Sequence, residues 1–306
     1  MSGPLRDHPE IGDDSGDVRD RLVSVRWEVG EVRLVPDPKP ANMAEASATY
    51  DSPMLDKILD ATRERVADLR VRRAAVMAKA EAAEPPPLFE EALARPGLAV
   101  IAEIKRRSPS RGDIDLGLDA VEQARRYAEG GAAALSVLTE PVFFAGRPED
   151  LVAARQTTGL PILRKDFVIE SIQIWEARAM GASAVLLIAA ALTPNELAAL
   201  LDDAGRAGLG ALVEVHTIDE AKLSIDLGAR VVGVNNRDLG TFEVDLGTAE
   251  EIAPFLSEAA VTVAESGIHS RSEALRMRAA GYDAVLVGEA LVRSSDPTGL
   301  IRELSG

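Results

Sequence analysis

The sequence predicts an α/β chain of the (β/α)8 (TIM) barrel class with a helical N-terminal addition. Three observations predict it. Eight short apolar runs recur at 100–112, 135–140, 161–167, 184–190, 211–216, 231–239, 261–268 and 284–291. Most are separated by a stretch with helical spacing of its apolar residues. Each run ends in a polar or glycine-containing cluster, and in a parallel barrel the carboxyl ends of the strands build the active site. A doubly wound open sheet is the competing layout, but it offers no reason for all the strand ends to carry convergent polar groups. The 306 residues suffice for one such barrel, typically about 250 residues long.

Taken in order, residues 1–51 are rich in Pro, Gly and Asp. Only 22–35 (LVSVRWEVGEVRLV) has strand character, and two short strands alone are marginal in water, so an N-terminal extension with little order is expected. Met43 offers an alternative natural start. The barrel domain is expected over 52–306, opening with Ser52 and Pro53 as N-cap and first helical residue. Helical spacing continues through MLDKILDATRERVADLRVRRAAV, and a second helical patch at 86–95 leads into the first strand. Such an addition is suited to cover one mouth of a barrel. The first strand, LAVIAEI at 98–104, is nearly continuous in apolar residues, as a strand buried on both faces must be. The helical stretches that follow mostly close on Gly, a C-terminal signal. The succession of helix, Gly-Ala and apolar run at 130–138, 180–188, 227–234 and 280–288 is an internal βα repeat.

Bulk properties limit the partners. A net charge of −16 argues against nucleic acid and anionic membranes, which need a basic footprint. There is no cysteine, hence no disulfide framework, thiolate metal site or thiol nucleophile, and a reducing cytoplasmic location fits. The N-terminus lacks the basic-then-apolar pattern of a secretory signal.

The chemistry lies at the strand ends. Residues two apart on a strand share a face, so Glu103 and Lys105 both point into the barrel mouth, as an ion pair of structural or catalytic use. The following SPSRG turn offers Ser108, Pro109 and Ser110 beside Arg106, Arg107 and Arg111, either as a loop over the substrate or as ordinary surface turn. Arg164 and Lys165 alternate faces, so only one enters the barrel. A second lysine near Lys105 is expected to lower the proton affinity of both. Glu214 ends the fifth run, and His216 two positions on reads as a loop histidine without a proton-transfer role. One carboxylate and one histidine are too few for zinc, and with three histidines in the chain no metal is expected. Asn235 and Arg237 share a face, an amide beside a guanidinium suited to a carboxylate, while Asn236 reads as turn structure. Glu265, Ser266 and Gly267 close the seventh run and Gly288 the eighth. The loops after these two strands are where barrels frequently hold phosphate.

The segments EIKRRSPSRG, SVLTE with FFAG, LRKDF, LVEVH, NNRDL, AESGI and LVGEAL, in this order from about Ser52 onward, resemble the indole-3-glycerol-phosphate synthases of tryptophan biosynthesis. The resemblance implies conversion of 1-(2-carboxyphenylamino)-1-deoxyribulose 5-phosphate to indole-3-glycerol phosphate, with loss of CO2 and water and no metal or organic cofactor. It implies Lys165 as the general acid for ring closure, Lys105 as a second catalytic lysine acting in dehydration, Glu214 as base and Glu103 as support for the lysines. Asn235 and Arg237 would orient the substrate, Arg237 near the anthranilate carboxylate. Glu265 and Ser266 match further active-site positions, and Gly267 and Gly288 the phosphate site. Phe144, Phe167, Pro109 and Leu186 match the wall around the aromatic ring. A soluble cytoplasmic monomer is implied, or one weakly associated with other enzymes of the pathway. Two features depart from the pattern: Gly146-Arg147-Pro148 stands where the family has Ser after the glycine, and the acidic extension is foreign to it. A phosphoribosylanthranilate isomerase needs an acid/base pair but no lysine pair beside two glutamates. A non-catalytic scaffold leaves the buried charges without purpose.

Overall fold

The computed structural model describes residues 53–306; the expectations for residues 1–51, and for Ser52 as a cap, lie outside them. Eight strands form a closed barrel: β1 (Ala99–Ile104), β2 (Ala134–Leu138), β3 (Ile162–Lys165), β4 (Ala184–Ile188), β5 (Gly210–Val215), β6 (Val231–Asn235), β7 (Val261–Glu265) and β8 (Ala284–Val287). Each is parallel to its sequence neighbours, and β8 returns to β1 with Ala99 opposite Ala284.

The alternation of side chains across each strand sorts the residues into two cores. Ile101, Ala134, Leu163, Ala184, Leu212, Val231, Val263 and Ala284 fill the barrel interior. Val100, Leu135, Val185, Val213, Val232 and Val285 face outward to the helices. The same alternation carries the inward row upward, from Ile101 to Glu103, from Leu163 to Lys165, from Leu212 to Glu214 and from Val263 to Glu265. The apolar floor and the polar site are thus successive layers of one row.

Helices Pro53–Val71 and Arg73–Ala82 precede the barrel, and the short helix Phe89–Leu93 inserts Phe89 and Leu93 into the interior core. This last helix contributes to the core at the amino-terminal ends of the strands, where Phe89 Cβ lies 3.6 Å from the position a Cβ would take on Gly210. The last helix of the addition therefore covers that mouth. The helices between strands start and stop as their sequences predict. Asp119 accepts from the N–H groups of Val121 and Glu122 at the start of Ala120–Gly130. Thr193 forms a reciprocal capping pair with Glu196. Gly131, Gly159 and Gly181 end their helices in the left-handed conformation that glycine adopts without penalty.

Candidate active site

All the residues to which the resemblance gives a catalytic or binding role line one cavity at the carboxyl ends of the strands, about 1040 Å³ including its open mouth. Glu103, Lys105, Ser108 and Pro109 come from β1 and its loop, Phe144 from the β2 loop, Lys165 and Phe167 from β3, and Leu186 from β4. Glu214 ends β5, Asn235 and Arg237 lead out of β6, Glu265, Ser266 and Gly267 end β7, and Gly288 follows β8.

The centre is a set of buried charges. Lys165 Nζ donates to Glu214 Oε2 at 3.0 Å and also to Glu265 Oε2. Lys105 Nζ lies 2.6 Å from Glu103 Oε1. The expectation that two neighbouring lysines weaken each other's hold on protons is not met at Lys165. Burial pulls its proton affinity down, but Glu265, Glu214 and Glu103 outweigh it and raise the pKa above the usual lysine value. Each lysine has a carboxylate partner, so the carboxylates and not the other lysine set the local potential. Two carboxylates competing for one ammonium are driven apart in turn. Glu214 resists its burial through Lys165, His216 and a hydrogen bond from Asn235, and falls to about 2. Glu265 is pushed up to about 7, by burial first and then by Glu214 and Glu103, against the pull of Lys165.

Space for this cluster is made by glycine. A Cβ on Gly233, the inward position of β6, would collide with Glu265 Oε1. One on Gly288 would collide with Glu103 Oε1 and stand 3.1 Å from Lys105 Nζ. Ser266 and Gly267 are consecutive residues with positive φ, 65° and 79°, turning the β7 loop over the cavity. Glu289, just past Gly288, is held by Arg293 at 3.1 Å and Arg111 at 3.4 Å, which offset its charge beside the expected phosphate position. Phe144 and Phe167 lie with ring centroids 6.1 Å apart, within range for an aromatic pair, and form an apolar wall with Leu186.

A supporting layer was not anticipated. Arg164, on the outward face, donates to Thr139 Oγ1, Asp166 Oδ2 and the carbonyl of Gln173, and pairs with Glu176. Asp166 also receives Arg65, from the first helix, on both oxygens at 2.9 and 3.1 Å. Asp166 sits between Lys165 and Phe167 in the chain, so its anchoring fixes both. Asn236 is more than turn structure: it is buried, accepts from the Ala249 N–H at 3.0 Å and donates to the Ser266 carbonyl at 3.2 Å, tying two site loops together. The Arg237 guanidinium donates to the Phe242 carbonyl at 3.0 Å.

The arginines of the β1 loop separate. Arg106 is buried and turned away from the cavity, paired with Asp150 and donating to the Leu118 carbonyl. Arg107 pairs with Asp113 across a two-stranded turn of Arg107–Ser108 and Gly112–Asp113. Only Arg111 reaches toward the mouth. His216 lies in the loop just past β5, as its sequence reading has it, but is buried there against Glu214. Among the described residues, no group of three or more His, Cys, Asp or Glu is arranged to hold a metal ion, and no helix is long and apolar enough to cross a membrane.

Comparison with known proteins covers the same stretch of chain. A family profile described as indole-3-glycerol phosphate synthase matches residues 55–304. The enzyme of that name from Mycobacteroides abscessus is 48% identical over 257 residues, 82% of this chain and 93% of the relative. That of Koribacter versatilis is 48% identical over 262 residues, 83% of this chain and 100% of the relative. Among solved structures, a 3-hexulose-6-phosphate synthase superposes with a TM-score of 0.55 at 16% identity, over 68% of this chain and 98% of that one. Thiamine phosphate pyrophosphorylase from Pyrococcus furiosus gives 0.52 at 21% identity, over 68% of this chain and 93% of that one. These two likenesses concern the fold alone. With the profile spanning nearly all the described residues and relatives of 48% identity over most of their length, the chain belongs to the indole-3-glycerol phosphate synthase family, carboxy-lyases of tryptophan biosynthesis that act on a small-molecule substrate.

Proposed function

We propose that the cavity carries out ring closure of 1-(2-carboxyphenylamino)-1-deoxyribulose 5-phosphate with Lys165 as acid, Glu214 as base and Lys105 in the dehydration. The observation that carries this reading is the Lys165 ammonium held between Glu214 and Glu265 in the cavity that Arg237, the phenylalanines and the glycine loops share. Closing the ring joins the aromatic carbon that bears the carboxylate to the C2′ carbonyl carbon. The carbonyl oxygen then develops alkoxide character and needs a proton. An ammonium held as firmly as Lys165 is a weak acid toward carboxylates, but an alkoxide is far more basic, so the transfer is downhill only as the new bond forms.

The carboxylate next leaves as CO2, and the electrons of its bond return to the ring. Dehydration removes the new hydroxyl as water, with Lys105 placed to protonate it and Glu214 to take the proton from the neighbouring carbon. Glu214 is a feeble base while paired with Lys165. Once Lys165 has given up its proton the pairing charge is gone, and the proton affinity of Glu214 rises for the second step. The first transfer thereby prepares the second. Glu103 holds Lys105, and Asn235 holds Glu214 from the β6 side.

At the two ends of the substrate, Arg237 and Ser108 would hold the anthranilate carboxylate and the loops at Ser266, Gly267 and Gly288 the phosphate. Phe144, Phe167, Pro109 and Leu186 would pack on the ring. The chemistry assigned here asks for neither metal nor organic cofactor. A cytoplasmic enzyme, monomeric or weakly associated with others of the pathway, belongs to the same reading, and the net charge of −16 supports the absence of nucleic acid as a partner.

The test is calorimetric titration of a slow substrate analogue and its dephosphorylated counterpart, in metal-free buffer, against the wild type and Gly288→Asp. Much tighter binding of the phosphorylated ligand, lost in the variant, is expected. Equal affinity of the wild type for both ligands would refute the phosphate assignment, and a need for added metal would refute the cofactor-free chemistry.

A further inference from the structure

His216 follows Glu214 by two positions, and continued strand alternation would put its ring in the cavity. Strand β5 ends at Val215, however, and the ring of His216 is not among the groups that line the cavity. It is packed behind Glu214, its side chain 3% exposed. Nε2 lies 3.6 Å from Glu214 Oε1, the oxygen opposite the one that receives Lys165. Nδ1 lies 3.8 Å from Glu220 Oε2, in the first turn of the helix Ile218–Asp226. Glu220 is itself fixed. Its Oε2 accepts the backbone N–H of His216 at 2.6 Å, and its own N–H donates to Thr217 Oγ1 at 3.2 Å. The imidazole is thus clamped between a carboxylate of the site and one at the barrel's outer side.

We propose that His216 is a positioning residue for the reaction: as an imidazolium between Glu214 and Glu220, it holds the Glu214 carboxylate from behind and keeps it charged when Lys165 surrenders its proton. The inference rests on the reading of Glu214 as base. During ring closure the cluster loses the ammonium that both Glu214 and Glu265 share, and a buried carboxylate without a cation is costly. His216 supplies a second cation that the substrate never touches. Among the described residues, the ionisable groups that face it are Glu214 near the end of β5, Glu220 on the following helix and Glu265 on β7, all carboxylates, with Lys165 beyond Glu214. Burial opposes its charge, but Glu220, Glu214 and Glu265 outweigh burial and raise its pKa above the usual histidine value. In the resting enzyme the imidazolium therefore persists further into the neutral range than a free histidine would.

The experiment is the pH dependence of kcat and KM for wild type, His216→Gln, Glu220→Gln and, as reference, Glu214→Gln. Wild-type kcat is expected to decline across the titration of His216. His216→Gln keeps the volume and a donor but no charge. Its kcat should fall about tenfold near neutrality, because without the imidazolium Glu214 takes up a proton when Lys165 is discharged and is no longer a free base, with KM within about twofold. That limb should vanish from its profile, so that the two enzymes converge at alkaline pH. Glu220→Gln, which touches neither Glu214 nor the cavity, should move the limb to lower pH by removing a partner of the imidazolium. Nitrogen NMR of the wild type, with His216 assigned by its absence in His216→Gln or else by the shift in Glu220→Gln, reads the charge directly. An imidazole that is neutral at about pH 6 would overturn the proposal, since a free histidine is half charged near there. So would a loss in His216→Gln that is uniform with pH and leaves the limb in place. If Glu214→Gln retains turnover, the reading of Glu214 fails. If Glu214→Gln is inactive while His216→Gln and Glu220→Gln keep the wild-type profile, only the present inference fails.

Discussion

Replacing Lys165 by Met isolates the ammonium from the stem, because Met fills most of the same apolar path and offers no proton. The ammonium it removes is bonded to Glu214 at 3.0 Å and to Glu265. Two unit charges about 3 Å apart at an effective dielectric of about 20 attract by roughly 5.5 kcal/mol, which sets the scale of what each carboxylate loses. The realised cost is smaller, because a carboxylate left without its cation takes up a proton instead. Glu214, held at about 2 in the wild type, then moves above the pKa it has in the unfolded chain, and Glu265 moves further up from about 7. The sign follows. A carboxyl whose folded pKa is raised stabilises relative to the wild-type arrangement only while protonated, so the variant loses stability as pH rises, by about 1.4 kcal/mol for each unit by which a buried carboxyl is raised. Thermal unfolding should place the variant near the wild type at about pH 5 and several degrees below it at about pH 8. Turnover, followed by the fluorescence of the indole product, should fall at least about 100-fold at every pH, the scale for loss of a positioned acid. A folded variant with turnover within about tenfold of wild type, or a stability deficit that ignores pH, would refute the reasoning.

Three further outcomes are expected. Glu265→Gln should flatten the wild-type decline in stability between about pH 4.5 and about pH 7, the window in which the folded carboxyl, at about 7, holds a proton that the unfolded one releases; paired pH–melting curves measure it. Asp166→Asn, which weakens the hold of Arg65 and Arg164 on the segment between Lys165 and Phe167, should lower the melting temperature and reduce kcat more than KM in steady-state assays, whereas a change in KM alone would detach that network from the chemistry. A chain beginning at Met43 should keep full turnover, since the cavity residues lie at or beyond Glu103; loss of activity would assign the preceding residues a part in the site.

The barrel and the cavity were legible because both follow from one local rule, alternation along a strand. Alternation put Arg164 and Lys165 on opposite faces, the resemblance singled out Lys165, and Glu103, Glu214 and Glu265 read as convergent without knowing which strand neighbours which. What was not legible depends on distance through space. Arg65 meets Asp166 from 101 positions away, and Arg106 meets Asp150 from 44, so nothing in the local pattern distinguishes these arginines from surface ones. The proton affinity of Lys165 was misjudged for the same reason: its sign depends on whether a carboxylate or a lysine stands nearer, and the β5 and β7 ends supply two carboxylates. His216 was read as a loop histidine, and it does lie past the end of β5, but its burial against Glu214 depends on the turn that follows the strand. At Val215 the chain turns, and the next side chain falls behind Glu214 instead of beside it.

The account rests on the cavity carrying out carbon–carbon bond formation with decarboxylation, and stoichiometry tests that most directly. Purified protein in chelator-treated buffer is given 1-(2-carboxyphenylamino)-1-deoxyribulose 5-phosphate, and CO2 and indole-3-glycerol phosphate are counted together, with phosphoribosylanthranilate supplied in a parallel reaction. The predicted result is equal release of CO2 and indole product from the first compound, none with Lys165→Met, and no reaction of the second compound. Isomerisation of phosphoribosylanthranilate without CO2, or consumption of the first compound without indole product, would contradict it.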